Sequence, residues 1–108
     1  MRMESVRGGD AAVRFERALQ ASAGAAGCTL AVAEARSRPW SSATYVGEQI
    51  TVSLTVRPAD AARLWLDGLP EAELPMRGHV AMPPALERVA KADDEMEVLL
   101  TTLILHDS

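Results

Sequence analysis

Between Gln49 and Val56 polar and apolar residues alternate without a break. Ile50, Val52, Leu54 and Val56 point one way, and Gln49, Thr51, Ser53 and Thr55 the other. Successive side chains of a strand project to opposite faces, so this stretch buries one face and wets the other. A strand of that kind belongs in an antiparallel sheet covered on one side, and the rest of the chain has to supply the cover.

Two segments have the spacing to do so. Asp10 is expected to cap a helix that carries Ala11, Phe15, Ala18, Leu19 and Ser22 and ends in the glycines of Ala23-Gly24-Ala25-Ala26-Gly27. Pro58 opens a second helix whose expected buried stripe is Ala61, Leu64, Trp65 and Leu69, closed by Gly68-Leu69-Pro70. Met1 to Gly9 reads as a flexible lead-in, which leaves 10–108 as one domain. That length suffices for one hydrophobic core. Because aromatic residues make up only 4% of the chain, the core has to be built from Ala, Val, Leu, Ile and Met.

The remaining strands read less cleanly. Cys28 to Glu34 alternates Cys28, Leu30 and Val32 against Thr29, Ala31 and Ala33. Arg36 to Ser42 is expected to be a connection, because Pro39 is unsuited to a central strand. A short strand near Ser42 to Val46 and a turn at Gly47-Glu48 would follow. His79 to Met82 looks extended up to Pro83-Pro84. Residues 84–92 fit either helix or strand, and the strand is favoured because Asp93-Asp94-Glu95 signals a hairpin turn into Met96 to Leu105.

Asp10-Ala11-Ala12 followed by Phe15 recurs as Asp60-Ala61-Ala62 followed by Trp65. The strand around Ile50 to Val56 has its counterpart in Leu99 to Leu105, so 10–57 and 58–108 read as two pseudo-repeats. The bland alternative is that small domains of this class share such an order anyway. The expected fold is α+β: a two-layer sandwich with two helices on one face of an antiparallel sheet, in the order αββαββ. That order resembles a permuted ferredoxin-like arrangement, which implies nothing about function.

Charge and cysteine content narrow the functional classes. A net charge of -4 works against binding a polyanion, so nucleic acid is a disfavoured partner. One cysteine, Cys28, permits no intramolecular disulfide, and Met1 to Gly9 lacks the apolar core of a secretory signal. No run is long enough to span a bilayer, so a cytoplasmic location is expected. Arginine outnumbers lysine so heavily, beside abundant alanine, that a GC-rich bacterial genome is the expected source.

Two features stand out as candidate sites. Val98, Leu100 and Ile104 share one face of the last strand, while Leu99, Leu103 and Leu105 share the other. A strand apolar on both sides is covered on both sides, and a homodimer with Leu99, Leu103 and Leu105 at its interface is the simplest cover. An unidentified protein could take the same place, or the chain's own loops could. The second feature is the segment from Arg36 to Tyr45. Its Arg36, Arg38, Trp40 and Tyr45, with His79, could hold a small anionic ligand. Solvated arginines, paired with Glu34 or Glu48, are the plainer reading.

The remaining residues offer less chemistry. His79 and His106 are far apart in sequence and have no metal-ligand spacing, so no metal site is expected. Cys28 fits a small buried hydrophobe, and the acidic residues 93–97 fit a hairpin tip. No phosphate loop, nucleophile elbow or other catalytic constellation is present, which leans against an enzyme, and no cofactor is implied. The expectation is a non-catalytic homodimeric interaction or scaffolding module, with a small anionic-ligand binder or enzyme using the Arg36 to Tyr45 segment as the alternative.

Overall fold

A computed structural model describes residues 9–106. Helix α1 (Gly9–Ala25) leads into strands β1 (Thr29–Ser41) and β2 (Val46–Arg57). Helix α2 (Ala59–Gly68) and a 3-10 turn (Leu69–Glu71) follow, then β3 (His79–Ala81), β4 (Ala85–Ala92) and β5 (Glu95–His106). All strand pairs are antiparallel: β1 with β2, β2 with β5, and both β3 and β4 with the far side of β5. The fold class is therefore α+β, with two helices and a five-stranded antiparallel sheet.

The alternation that marked β2 decides the layering. Ile50, Val52, Leu54 and Val56 are buried, and so are Met96, Val98, Leu100, Thr102 and Ile104 of β5. Phe15, Leu19 and Ala23 of α1 pack into the same cluster, together with Ala62, Trp65 and Leu66 of α2. Both helices thus cover one face of the sheet. Trp65 Nε1 donates to Ser22 Oγ at 2.9 Å, which ties the helices together and satisfies the one polar group of a buried indole.

Several expectations need correction. Residues 1–8 of the expected lead-in lie outside the described residues, and α1 starts at Gly9, which puts Asp10 inside the first turn rather than before it. In α2 the buried stripe is Ala59, Ala62, Trp65 and Leu66, and Leu64 is 74% exposed. The reason is rotational: with Trp65 and Leu66 both inward, Leu64 sits about 150° from the centre of the stripe, given about 100° per residue. Within the segment 84–92, Ala85–Ala92 is a strand, as favoured.

The largest correction concerns Arg36 to Val46. It is not a connection with a short strand; β1 runs straight through Pro39 and Trp40 to Ser41. Pro39 is tolerated because β1 pairs on one side only, and an edge strand can turn a donor-less nitrogen outward. The turn is Ser42 to Tyr45 rather than Gly47-Glu48. Ser42 Oγ accepts from the amides of Thr44 and Tyr45 at 3.3 and 3.1 Å, and the Ser42 amide donates to the Tyr45 carbonyl at 2.8 Å. Gly47 lies within β2, opposite Leu105, where a Cβ would come within 2.1 Å of the Ile104 carbonyl oxygen.

Candidate functional site

One irregularity in β1 determines what the uncovered face of the sheet presents. The pairing steps from Val32 opposite Leu54 to Glu34 opposite Ser53, so Ala33 is an extra residue. Such a bulge reverses the facing of everything beyond it. Leu30 and Val32 point toward the helices before the bulge, but beyond it Glu34, Arg36, Arg38 and Trp40 point away from them.

The register then orders the uncovered face into rows running from β1 across β2 and β5. Trp40, Gly47, Leu105 and Val80 of β3 form one row. Arg38, Gln49 and Leu103 form the next, followed by Arg36, Thr51, Thr101 and Ala85. Glu34, Ser53, Leu99 and Arg88 complete the central part. No element among the described residues covers this side. Leu99, Leu103 and Leu105 are half-buried by their neighbours, and Val80 is 53% exposed. The predicted two-sided character of the last strand is thus seen as one buried and one uncovered set of apolar residues.

The arginines of β1 are engaged in part. Arg36 Nε donates to Glu34 Oε2 at 2.9 Å, one of the two partners expected for it, and Arg38 Nη2 donates to Gln49 Oε1 at 2.9 Å. They border a shallow groove with Thr51, Thr101 and Glu87 of β4. Trp40 lies one row beyond, and Tyr45 projects from the turn at 54% exposure. His79 is on β3, at the opposite edge of the sheet. The five residues proposed for an anionic ligand are therefore spread over both edges of the sheet.

A second cluster forms at the end of the helix-side face, beyond the helices, and takes one residue from each of β1, β2, β5 and β3. Ser37 Oγ donates to Glu48 Oε1 at 2.5 Å, and Glu48 Oε2 lies 3.3 Å from His106 Nε2. The His106 ring packs edge-on against that of His79, with centroids 4.9 Å apart. His79 Nδ1 lies 3.0 Å from the Arg77 carbonyl oxygen and donates to it. The serine is bonded to a carboxylate and not to an imidazole, so this is no nucleophile–base pair. Sequence distance hid the histidine pair, because adjacency of His79 and His106 depends on which strand pairs with which.

Cys28 is buried at the exit of α1, its thiol donating to the Ala26 carbonyl at 3.9 Å, and burial pushes its pKa up. Among the described residues, no three His, Cys, Asp or Glu side chains gather as metal ligands, and no helix is long and apolar enough to cross a membrane. Comparison with protein-family models, curated proteins and solved structures gives no match to this chain.

Proposed function

We propose that the chain is a non-catalytic interaction module that self-associates through the uncovered face of its sheet. The observation that carries this reading is the line of Leu99, Leu103 and Leu105 on β5, a central strand with none of the described elements laid over that side. Leaving such a strip in water forfeits about 25 cal/mol for each Å2 that a partner could cover. Four strand positions and a twelve-residue strand give a face of roughly 19 by 40 Å at ordinary strand spacings. That is close to the ~800 Å2 per partner of a standard stable interface.

The sheet edges favour face-to-face over edge-to-edge contact. β1 carries its bulge and Pro39 on one edge, and Pro83-Pro84 splits β3 from β4 on the other. Both devices discourage a further strand from adding on.

The test is solution mass by light scattering over a dilution series, on the native chain and on Leu103→Glu. Native dimers that become monomers in the variant, with an unchanged far-ultraviolet circular dichroism spectrum, are the expected result. A native chain that stays monomeric at high concentration, or a folded variant that stays dimeric, overturns the proposal.

A further inference from the structure

The histidine pair has the outer contacts that prepare imidazoles for a metal ion. A metal-bound histidine ligates through one ring nitrogen and donates the other N–H to a carboxylate or a backbone carbonyl, which fixes the tautomer. Both arrangements occur here. His79 gives its Nδ1–H to the Arg77 carbonyl, which leaves Nε2 as a lone pair. His106 presents Nε2 to the Glu48 carboxylate, which leaves Nδ1 as a lone pair. Ser37 in turn donates to the other oxygen of that carboxylate and holds it in place.

The spacing agrees. Two imidazoles on one tetrahedral ion, with metal–nitrogen distances of about 2.0–2.1 Å, have ring centroids about 5 Å apart. The observed separation is 4.9 Å, set by direct opposition of His79 and His106 across the β3–β5 pair. Access is open, since the His106 side chain is 43% exposed. Beside His79 a hollow runs between β3 and the 73–77 loop, with Glu73 and Arg77 on its border.

We propose that His79 and His106 bind a borderline-soft divalent transition-metal ion of the Zn2+ or Cu2+ class, with Glu48 as the positioning residue for His106. Two protein nitrogens leave the other coordination positions to water or a small anion, because no third side chain of ligand type joins them among the described residues. Imidazole pairs select such ions over Mg2+, which prefers oxygen ligands. The pair lies on the helix-side face, so the inference does not depend on self-association through the other one.

Calorimetric titration of the chain with zinc sulfate alone is expected to show one ion per chain. His79→Ala and His106→Ala should each abolish the binding heat. Glu48→Gln should retain the stoichiometry and bind 10–100-fold more weakly. Magnesium chloride should give no heat. Imidazole 15N spectra of the ion-free chain should show His79 protonated on Nδ1 and His106 on Nε2. Absence of zinc binding in the native chain, or affinity within twofold of native in a folded His79→Ala variant, overturns the assignment. So do the opposite tautomers.

Discussion

Gly47 shows how much a single hydrogen can decide in a close-packed sheet. A methyl group there would meet the Ile104 carbonyl oxygen at 2.1 Å and the Leu105 Cα at 3.1 Å, both backbone atoms of the paired strand. Neither can swing aside, so β2 and β5 would have to part at this end. Overpacking of this kind costs about 1–3 kcal/mol, and Gly47→Ala should lower the unfolding free energy by that amount, read as a lower urea midpoint at unchanged m. Unchanged stability would mean the strands separate freely there. Cys28 makes a prediction in pH. Its thiol is held above the ordinary value of 9.0 by burial, which disfavours the thiolate. Below pH 9 both the folded and the unfolded thiol are protonated, and the contribution to stability is intact. As pH rises past 9 the unfolded thiol ionises first, so stability falls until the folded value is passed. An aromatic disulfide reagent should accordingly label Cys28 slowly at pH 8 in the native chain and quickly in urea. Fast native labelling would show that the site opens.

At the scale of elements, β1 is the strand most exposed to unwanted pairing, being thirteen residues long and unpaired along one edge. Pro39 denies that edge a donor, and Ala33 twists it. Pro39→Val should leave the fold's stability within about 0.5 kcal/mol, the usual range for a surface position. It should also speed aggregation at 37 °C, read as turbidity and dye binding over days. Equal aggregation rates would remove Pro39 from this role. The same residue shows what the sequence could not disclose. Proline argues against a central strand, but whether a strand is central is a property of its neighbours, so the part of β1 from Arg36 onward read as a connection. The strand β2 was legible because its alternation reports burial directly, residue by residue, and β5 because its apolar run follows the hairpin turn at Asp93-Asp94-Glu95. The bulge was not, since Ala31, Ala33 and Ala35 are alike and nothing local marks the extra one. That one residue decides that Arg36 and Arg38 share a face with Leu103, so the make-up of the uncovered face was legible for β2 and β5 but not for β1. On the opposite edge, the break at Pro83-Pro84 is pinned to β5 by the Met82 amide donating to the Leu103 carbonyl at 2.9 Å. Thr102 Oγ1 donates to the Met82 carbonyl at 2.8 Å, which accounts for a buried threonine in an otherwise apolar row.

For the whole molecule, the proposed pairing of two uncovered faces has few ways to close as a twofold dimer. If the axis lies parallel to the strands between β2 and β5, each row meets the same row of the second copy, with β1 above β3 and β4. Glu34 then stands over the second copy's Arg88, Arg36 over its Ala85, Trp40 over its Val80, and Leu105 over the groove left by its Gly47. Turning the axis across the strands at the Arg36 row instead stacks Arg36 on Arg36 and sets Leu105 above Glu97. Like charges and a leucine facing a carboxylate both disfavour that arrangement. Packed sheets cross at about 30°, which displaces the edge strands by about half a row, within reach of arginine and glutamate side chains. The parallel-axis dimer therefore predicts a charge-reversal cycle. Glu34→Arg and Arg88→Glu should each weaken dimerisation about tenfold by setting like charges together, and the double variant should recover most of the loss. Sedimentation equilibrium at low salt reads all three, and high salt should shrink the differences because rim charges are screened. If the single changes weaken the dimer and the double change weakens it further, Glu34 and Arg88 do not face each other. The twofold would then have to run across the strands, and the leucine line would bind at a different register.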